Sequence, residues 1–443
     1  MDELAALLDR VPDHSSFLGP EQIGREVERL CRDFPGLSRR AVVGHSAEER
    51  PIELLTVGHG SRPILLLGVP HPNEPVGTLT ALFLARLLCE DEGLRGRLGV
   101  TLGIVPIADP DGLSLNASWL AEPLTLLGYA RGFYRPPHHE QVEWSYPVDY
   151  RALRFTRPAP ETAVVMRVME RVRPQVFFSL HNSGFGGVYF YASCDRPALF
   201  GRWRALAGRL GLPLHLAEPE VPYLEELGPA TYRLFGIADT YEYFARTLGG
   251  DPAVVIEAGT CGDDWLRKVC HAFSLVCEVP FFTAPAIGDM RAAGLTRREA
   301  LLAGHARARE IHGHCADAIE QLGSRARDDR LLRSLRTYVA KTPSRIEAEV
   351  AYAQAPDYDR EATRSQACDA DLGTAFYHLL YLGEAYRVAV GAGADRLATA
   401  LDARLSRLAA DLERGAGMRP LPLRSLVAMQ AGAGLLTLQA GAD

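Results

Sequence analysis

Between residues 41 and 285 the chain repeats one pattern: a short, almost unbroken apolar run, a turn, then an amphipathic stretch. The clear apolar runs are residues 52–58, 63–70, 100–108, 175–181, 186–193, 253–259 and 272–279. Helical periodicity fills intervals such as 76–90 and 161–172. Strands that are apolar throughout are buried on both faces, so the pattern requires an α/β sandwich with helices covering each side of the sheet. After about 285 the strand-like runs stop. Residues 297–322, 373–390 and 394–413 carry the helical repeat, and 342–365 reads as a more polar connector. The expected division is a helical lead-in over 1–40, an α/β unit over 41–315 and an all-helical unit over 316–443. The last is expected to serve stability or assembly rather than catalysis, because an amphipathic helix must bury its apolar face somewhere.

Of the 443 residues, 47% are hydrophobic and 23% charged, and the formal net charge is −7. No overall basic field exists to draw nucleic acid or an anionic membrane, so neither is expected as a partner. No apolar run approaches the roughly 20 residues needed to cross a bilayer. The opening segment MDELAALLDRVPDHSSF carries acids where a secretory leader carries basic residues. That sets the expectation of a cytoplasmic protein. The eight cysteines are scattered without a C-x-x-C pair and read as small buried hydrophobes.

The candidate chemistry lies at the carboxyl ends of the apolar runs. His71 and Glu74 follow the run 63–70 in the segment HPNEP, His181 closes QVFFSLH, and Glu278 stands near the end of AFSLVCEV. In open α/β sheets, sites form in the crevice beyond those strand ends. Charges gathered there must be paired or bound to metal. Two imidazoles and one carboxylate with an open fourth position make the usual catalytic zinc arrangement. A further carboxylate is then needed to take a proton from water and pass it to the leaving group. Glu257, near the end of the run 253–259, competes with Glu278 for that role. The cluster His138, His139, Glu140 reads as an exposed, proline-flanked loop, and His305, His312, His314 and Cys315 as helix surface.

These residues stand in segments that resemble the zinc carboxypeptidases of the M14 type. HPNEPVGTLTALFLARLL resembles their H-x-x-E segment, and VGHSAEERPIELLTVG the stretch upstream of it. IADPDG, VDYR, SLHN and GDDWLRKVCHAFSLVCEVP follow in the family's order, across roughly residues 40–285. The resemblance implies a mixed sheet sandwiched by helices and one zinc ion per chain, held by His71, Glu74 and His181. It makes Glu278 the general acid/base, at the family's spacing after Asp264 and Trp265. It also implies that Asp149 orients a ligating histidine and that Arg135 polarises the scissile carbonyl. Arg151 or Arg154 would grip the substrate's carboxylate. Asp263 would lie at the base of the pocket for the terminal side chain, favouring Lys or Arg.

The implied activity is removal of a peptide's C-terminal residue. Tyr150 stands where the family pairs asparagine with the clamping arginine, Ile256 replaces an expected tyrosine, and Asn73 replaces an arginine that some members carry. Those departures bring in a second reading, a zinc amidohydrolase acting on a small N-acyl amino acid or a γ-linked peptide. A third is a catalytically inactive protein that binds peptide C-termini. Retention of every ligand type and of Glu278 weighs against it, since a binder needs no general base.

Overall fold

The computed structural model describes residues 2–247 and 249–441. Its centre is a nine-stranded sheet. The strands are β1 (Ser38–His45), β2 (Pro51–Val57), β3 (Arg62–Gly68), β4 (Val100–Val105), β5 (Val176–Leu180), β6 (Tyr189–Ala192), β7 (Glu226–Gly228), β8 (Thr231–Arg233) and β9 (Phe273–Glu278). Their spatial order is β1-β2-β4-β3-β5-β9-β6-β8-β7. The central strands β4, β3, β5 and β9 run parallel, while β1, β2, β6 and β7 introduce antiparallel pairs. The sheet is therefore mixed, as expected.

Two layers of helices cover it. They are α1 (Pro20–Asp33), α2 (Val76–Glu90), α3 (Pro160–Val172), α4 (Pro197–Arg209), α5 (Arg297–Leu322), α6 (Arg330–Tyr352), α7 (Thr374–Gly391), α8 (Asp395–Ala410) and α9 (Leu423–Ala440), with shorter helices between. On one face, Val164, Val165 and Val168 of α3 meet Leu65, Leu67 and Phe177. On the other, the larger core joins α2 and α4 to the sheet and continues without a break into the C-terminal helices. No helix among the described residues is long and apolar enough to cross a membrane.

Several expectations need correction. Residues 253–259 are not a strand: a single 3-10 turn (Pro252–Val254) is followed by irregular chain. Val254 and Val255 face solvent, and Ile256 packs instead with Leu153, Ile237 and Tyr241. The stretch 342–365 is not all connector, because α6 continues to Tyr352 with Pro343 inside it. Leu332, Leu335, Tyr338, Thr342 and Ile346 form one buried face along that helix, which outweighs the proline. Residue 316 lies in the middle of α5, and α9 returns to pack on α2, α4, β5 and β9.

Candidate metal centre

The parallel register fixes what can meet above the sheet. Gly68 of β3 lies beside Leu180 of β5, and Val276 of β9 beside Ser179. The chain thus leaves three neighbouring strands at the same level, just where His71, His181 and Glu278 stand. Val69 turns the chain out of β3 with φ of 52°, a left-handed conformation that β-branched residues rarely adopt. A short turn follows, closed by Glu74 N–H donating to the His71 carbonyl at 3.0 Å. Gly77 then lets α2 press onto the end of β5: a Cβ there would stand 2.5 Å from Leu180 Cβ and 2.7 Å from its carbonyl oxygen.

That close approach brings Glu74 to His181. Glu74 Oε2 lies 3.1 Å from His181 Nδ1 and accepts from Asn182 N–H at 3.2 Å. The rings of His71 and His181 are 4.9 Å apart. One ligand-capable atom from each of His71, Glu74 and His181 lies within 4.8 Å of the others, and all three residues are buried. Among the described residues this is the only such group. His71 Nδ1 is buried without a hydrogen-bond partner, so a donor atom is free where a cation would sit. The donor set and that orphaned nitrogen fit zinc.

Around the triad, Glu278 is buried with Oε1 3.9 Å from His181 Nδ1, and its Oε2 has no partner. Burial and the charge of Glu74 push its carboxyl well above the usual range. Burial, with the charges of Arg135 and His181, pulls His71 well below the ordinary imidazole value. For His181 burial works in the same direction. The polar interactions with Glu143 and Glu74, with the charges of Glu74 and Glu278, outweigh that and push it up. Arg135 donates from Nη1 to Glu74 Oε1 at 2.7 Å, so the structure brings it beside the triad.

Four other expected residues are not brought there. Asp149 sits on a two-stranded hairpin (Val148–Tyr150 with Leu153–Phe155), 72% exposed and paired with Arg154. Arg151 pairs with Glu242 at 2.8 Å, also at the surface. Asp263 opens a short helix (Gly262–Val269) and pairs with Arg267 one turn on, at 2.6 Å. It lines a cavity of about 270 Å³ with Ser193, Arg196, Phe273 and Ser274, at the start of β9. Glu278 ends the same strand four residues beyond Ser274, about 13 Å away. Asp263 is therefore not among the residues gathered at the triad. Glu257 is exposed and held by Lys341 at 2.6 Å. Of the helical histidines, His305 meets Glu349 at 3.2 Å and His312 Nε2 lies 2.9 Å from the Val339 carbonyl.

Sequence reasoning misses two carboxylates. Glu143 takes the position expected of Asp149: Oε2 lies 3.7 Å from His181 Nε2 and accepts from Ser179 Oγ at 3.4 Å, while Oε1 accepts from Gly262 N–H at 3.2 Å. It sits in a 3-10 turn (Val142–Trp144), with no strand end or spacing to mark it. Glu384 of α7 supports Arg135. Its Oε1 accepts from Arg135 N–H at 3.4 Å and from Ser334 Oγ at 3.1 Å, and Ser334 also donates to the Arg135 carbonyl at 2.8 Å. A glutamate inside a largely apolar helix is the one signal that could have marked it.

Glu384 is fully buried, its Oε2 lacks a partner, and burial pushes its carboxyl from 4.5 up to about 8. The folded protein keeps a proton that the unfolded chain releases. Stability from this group is complete below the unfolded value and is lost as pH rises toward the folded one. Glu384→Gln should therefore flatten the fall in stability between pH 5 and 8 by on the order of a few kcal/mol. Denaturant midpoints across that range check this, and identical pH profiles for the two proteins would contradict it.

The family model of the zinc carboxypeptidases matches residues 23–126. Among solved structures, the chain is similar to a metallo-carboxypeptidase from Burkholderia cenocepacia (17% identity, 60% of each chain covered, TM-score 0.34). It is also similar to carboxypeptidase A from Helicoverpa armigera (14% identity, 63% of this chain and 69% of that one, TM-score 0.40). A third is the metallo-carboxypeptidase from Pseudomonas aeruginosa in complex with (2-guanidinoethylmercapto)succinic acid (20% identity, 60% of each, TM-score 0.31). The Burkholderia and Pseudomonas matches span less than two thirds of those proteins' own length. The segment that matches the zinc carboxypeptidase family model is the one that carries His71 and Glu74.

Proposed function

We propose that this chain is a zinc-dependent hydrolase that removes the C-terminal residue from a peptide, with His71, Glu74 and His181 as ligands of one zinc ion. The observation that carries the reading is the gathering of those three buried side chains within 4.8 Å, with buried Glu278 beside them. Zinc held there would supply Lewis acidity, polarising a carbonyl and acidifying water. Glu278 would take the water's proton at its unpartnered Oε2 and deliver it to the departing amine. A carboxyl made more basic by burial and by Glu74 is suited to both transfers. Arg135, locked on Glu74 and held from behind by Glu384, offers a fixed cation for charge developing on the carbonyl oxygen. Ser179, whose Oγ lies 2.9 Å from His181 Nε2 and donates to Glu143, would keep His181 in the tautomer that leaves Nδ1 free for the metal.

One observation favours the second reading, a zinc amidohydrolase of small acyl amino acids. Both arginines proposed to clamp a peptide's C-terminus are engaged in exposed pairs, with Glu242 and Asp149. A mixed peptide library, incubated with and without a zinc chelator, separates the readings. The carboxypeptidase reading predicts stepwise, chelator-sensitive release of single C-terminal amino acids. Cleavage confined to small acyl conjugates would replace it with the amidohydrolase. Binding without any cleavage would leave the inactive binder.

A further inference from the structure

We infer that Gln430, on the C-terminal helix α9, is a positioning residue of the metal centre, fixing the two strand ends that carry His181 and Glu278. The inference rests on the zinc reading above.

The helix is buried almost all round: of Leu423–Ala440, fourteen residues are buried, and only Gln430 and Thr437 among them are polar. Thr437 satisfies its hydroxyl inside the helix, donating to the Ala433 carbonyl at 2.7 Å. Gln430 reaches outward instead. Its amide nitrogen donates to the carbonyl of His181 by a short hydrogen bond and to the carbonyl of Cys277 at 3.2 Å. Its amide oxygen accepts from Thr80 Oγ1 at 2.8 Å. One fully buried side chain thus ties together β5 at the third ligand, β9 at the residue before Glu278, and α2, which begins two residues after Glu74.

A primary amide is costly to bury unless its donors and acceptor are all used. Here both kinds are used, and the partners are backbone groups of the site itself. Gly434 lets the helix seat deeply enough, since a Cβ there would stand 3.0 Å from the Phe178 ring of β5. Without the amide, the His181 and Cys277 carbonyls would lose their buried donor, and both strand ends would relax. The imidazole and the carboxylate would then no longer be held at their present separation. Groups that orient metal ligands from behind affect metal affinity as well as turnover.

The test uses the full-length chain and zinc itself as probe. Gln430→Met keeps the length and bulk of the side chain and removes both donors. It should raise the zinc dissociation constant, measured by chelator competition, by roughly 10- to 100-fold. It should also alter the visible spectrum of the cobalt-substituted protein. Thr80→Val removes only the hydroxyl that orients the amide and should give a smaller change in the same direction. It carries the test if the methionine variant does not fold. Leu435→Ala is the control. It opens a cavity at the far end of α9, near Ile64, Leu102 and Val176, and should lower the melting temperature while leaving zinc affinity and the cobalt spectrum unchanged. Unchanged zinc affinity in the Gln430 and Thr80 variants overturns the inference, as does equal loss in Leu435→Ala. A wild-type chain that binds no zinc overturns the zinc reading and this inference with it.

Discussion

Replacing Glu278 by glutamine should leave folding and zinc content intact and lower kcat by roughly 10²- to 10⁴-fold, the usual contribution of a positioned proton-transfer group. The amide has nearly the same shape but cannot take a proton, and it enters a pocket that already disfavours a charged carboxylate. The fold should survive because Glu278 contributes no buried hydrogen bond through Oε2. Glu257→Gln should change kcat little, since Glu257 is exposed and its partner is Lys341 of α6. Steady-state rates with metal analysis on the same preparations decide it. An inactive Glu257→Gln beside an active Glu278→Gln would contradict the assignment.

A chain ending after Leu322 should fail to fold as a soluble, cooperative unit. It would lose α6 to α9, and α9 alone buries Leu426, Val427, Met429, Leu435 and Leu436 against the sheet-covering core. Each large apolar side chain exposed costs about 1.5–3 kcal/mol, while a typical domain has only about 5–15 kcal/mol in total. Loss of α6 also removes the Arg330–Asp111 ion pair at 3.0 Å, and with it a partner of a fully buried carboxylate. Sequence periodicity suggests a separate helical unit because it reports that a helix has an apolar face, not which surface that face will cover. Solubility, thermal melting and zinc content of the shortened chain check this. A soluble, zinc-loaded product with a sharp melting transition would contradict it.

The residues legible from sequence share one physical property: each stands at or just beyond the carboxyl end of an apolar strand. Strand burial fixes their level in the sheet, and the parallel register of neighbouring strands brings His71, His181 and Glu278 together above it. Asp149, Arg151, Arg154 and Asp263 have no such anchor. Their expected roles rest on the resemblance of short loop segments, and loop geometry depends on tertiary partners that local spacing does not record. Asp263 illustrates the point, because an i, i+4 partner, Arg267, is available to absorb its charge on a short helix. The strand expected over 253–259 fails for a related reason. Apolar residues alone do not place a run in a sheet: Val254 and Val255 turn to solvent, and Gly259 N–H donates to the Trp144 carbonyl instead. Glu143 leaves no trace in the sequence because a carboxylate in a 3-10 turn has no pattern of its own. Only the fold brings it under His181.

Everything proposed for the site depends on His71, Glu74 and His181 together holding one zinc ion. Metal content of the purified chain, by elemental analysis after removal of free ions, tests this directly. We expect about one zinc per wild-type chain and almost none in His71→Ala or His181→Ala, because each change removes one of only three protein ligands. Full zinc occupancy in both variants, or none in the wild type, would contradict it.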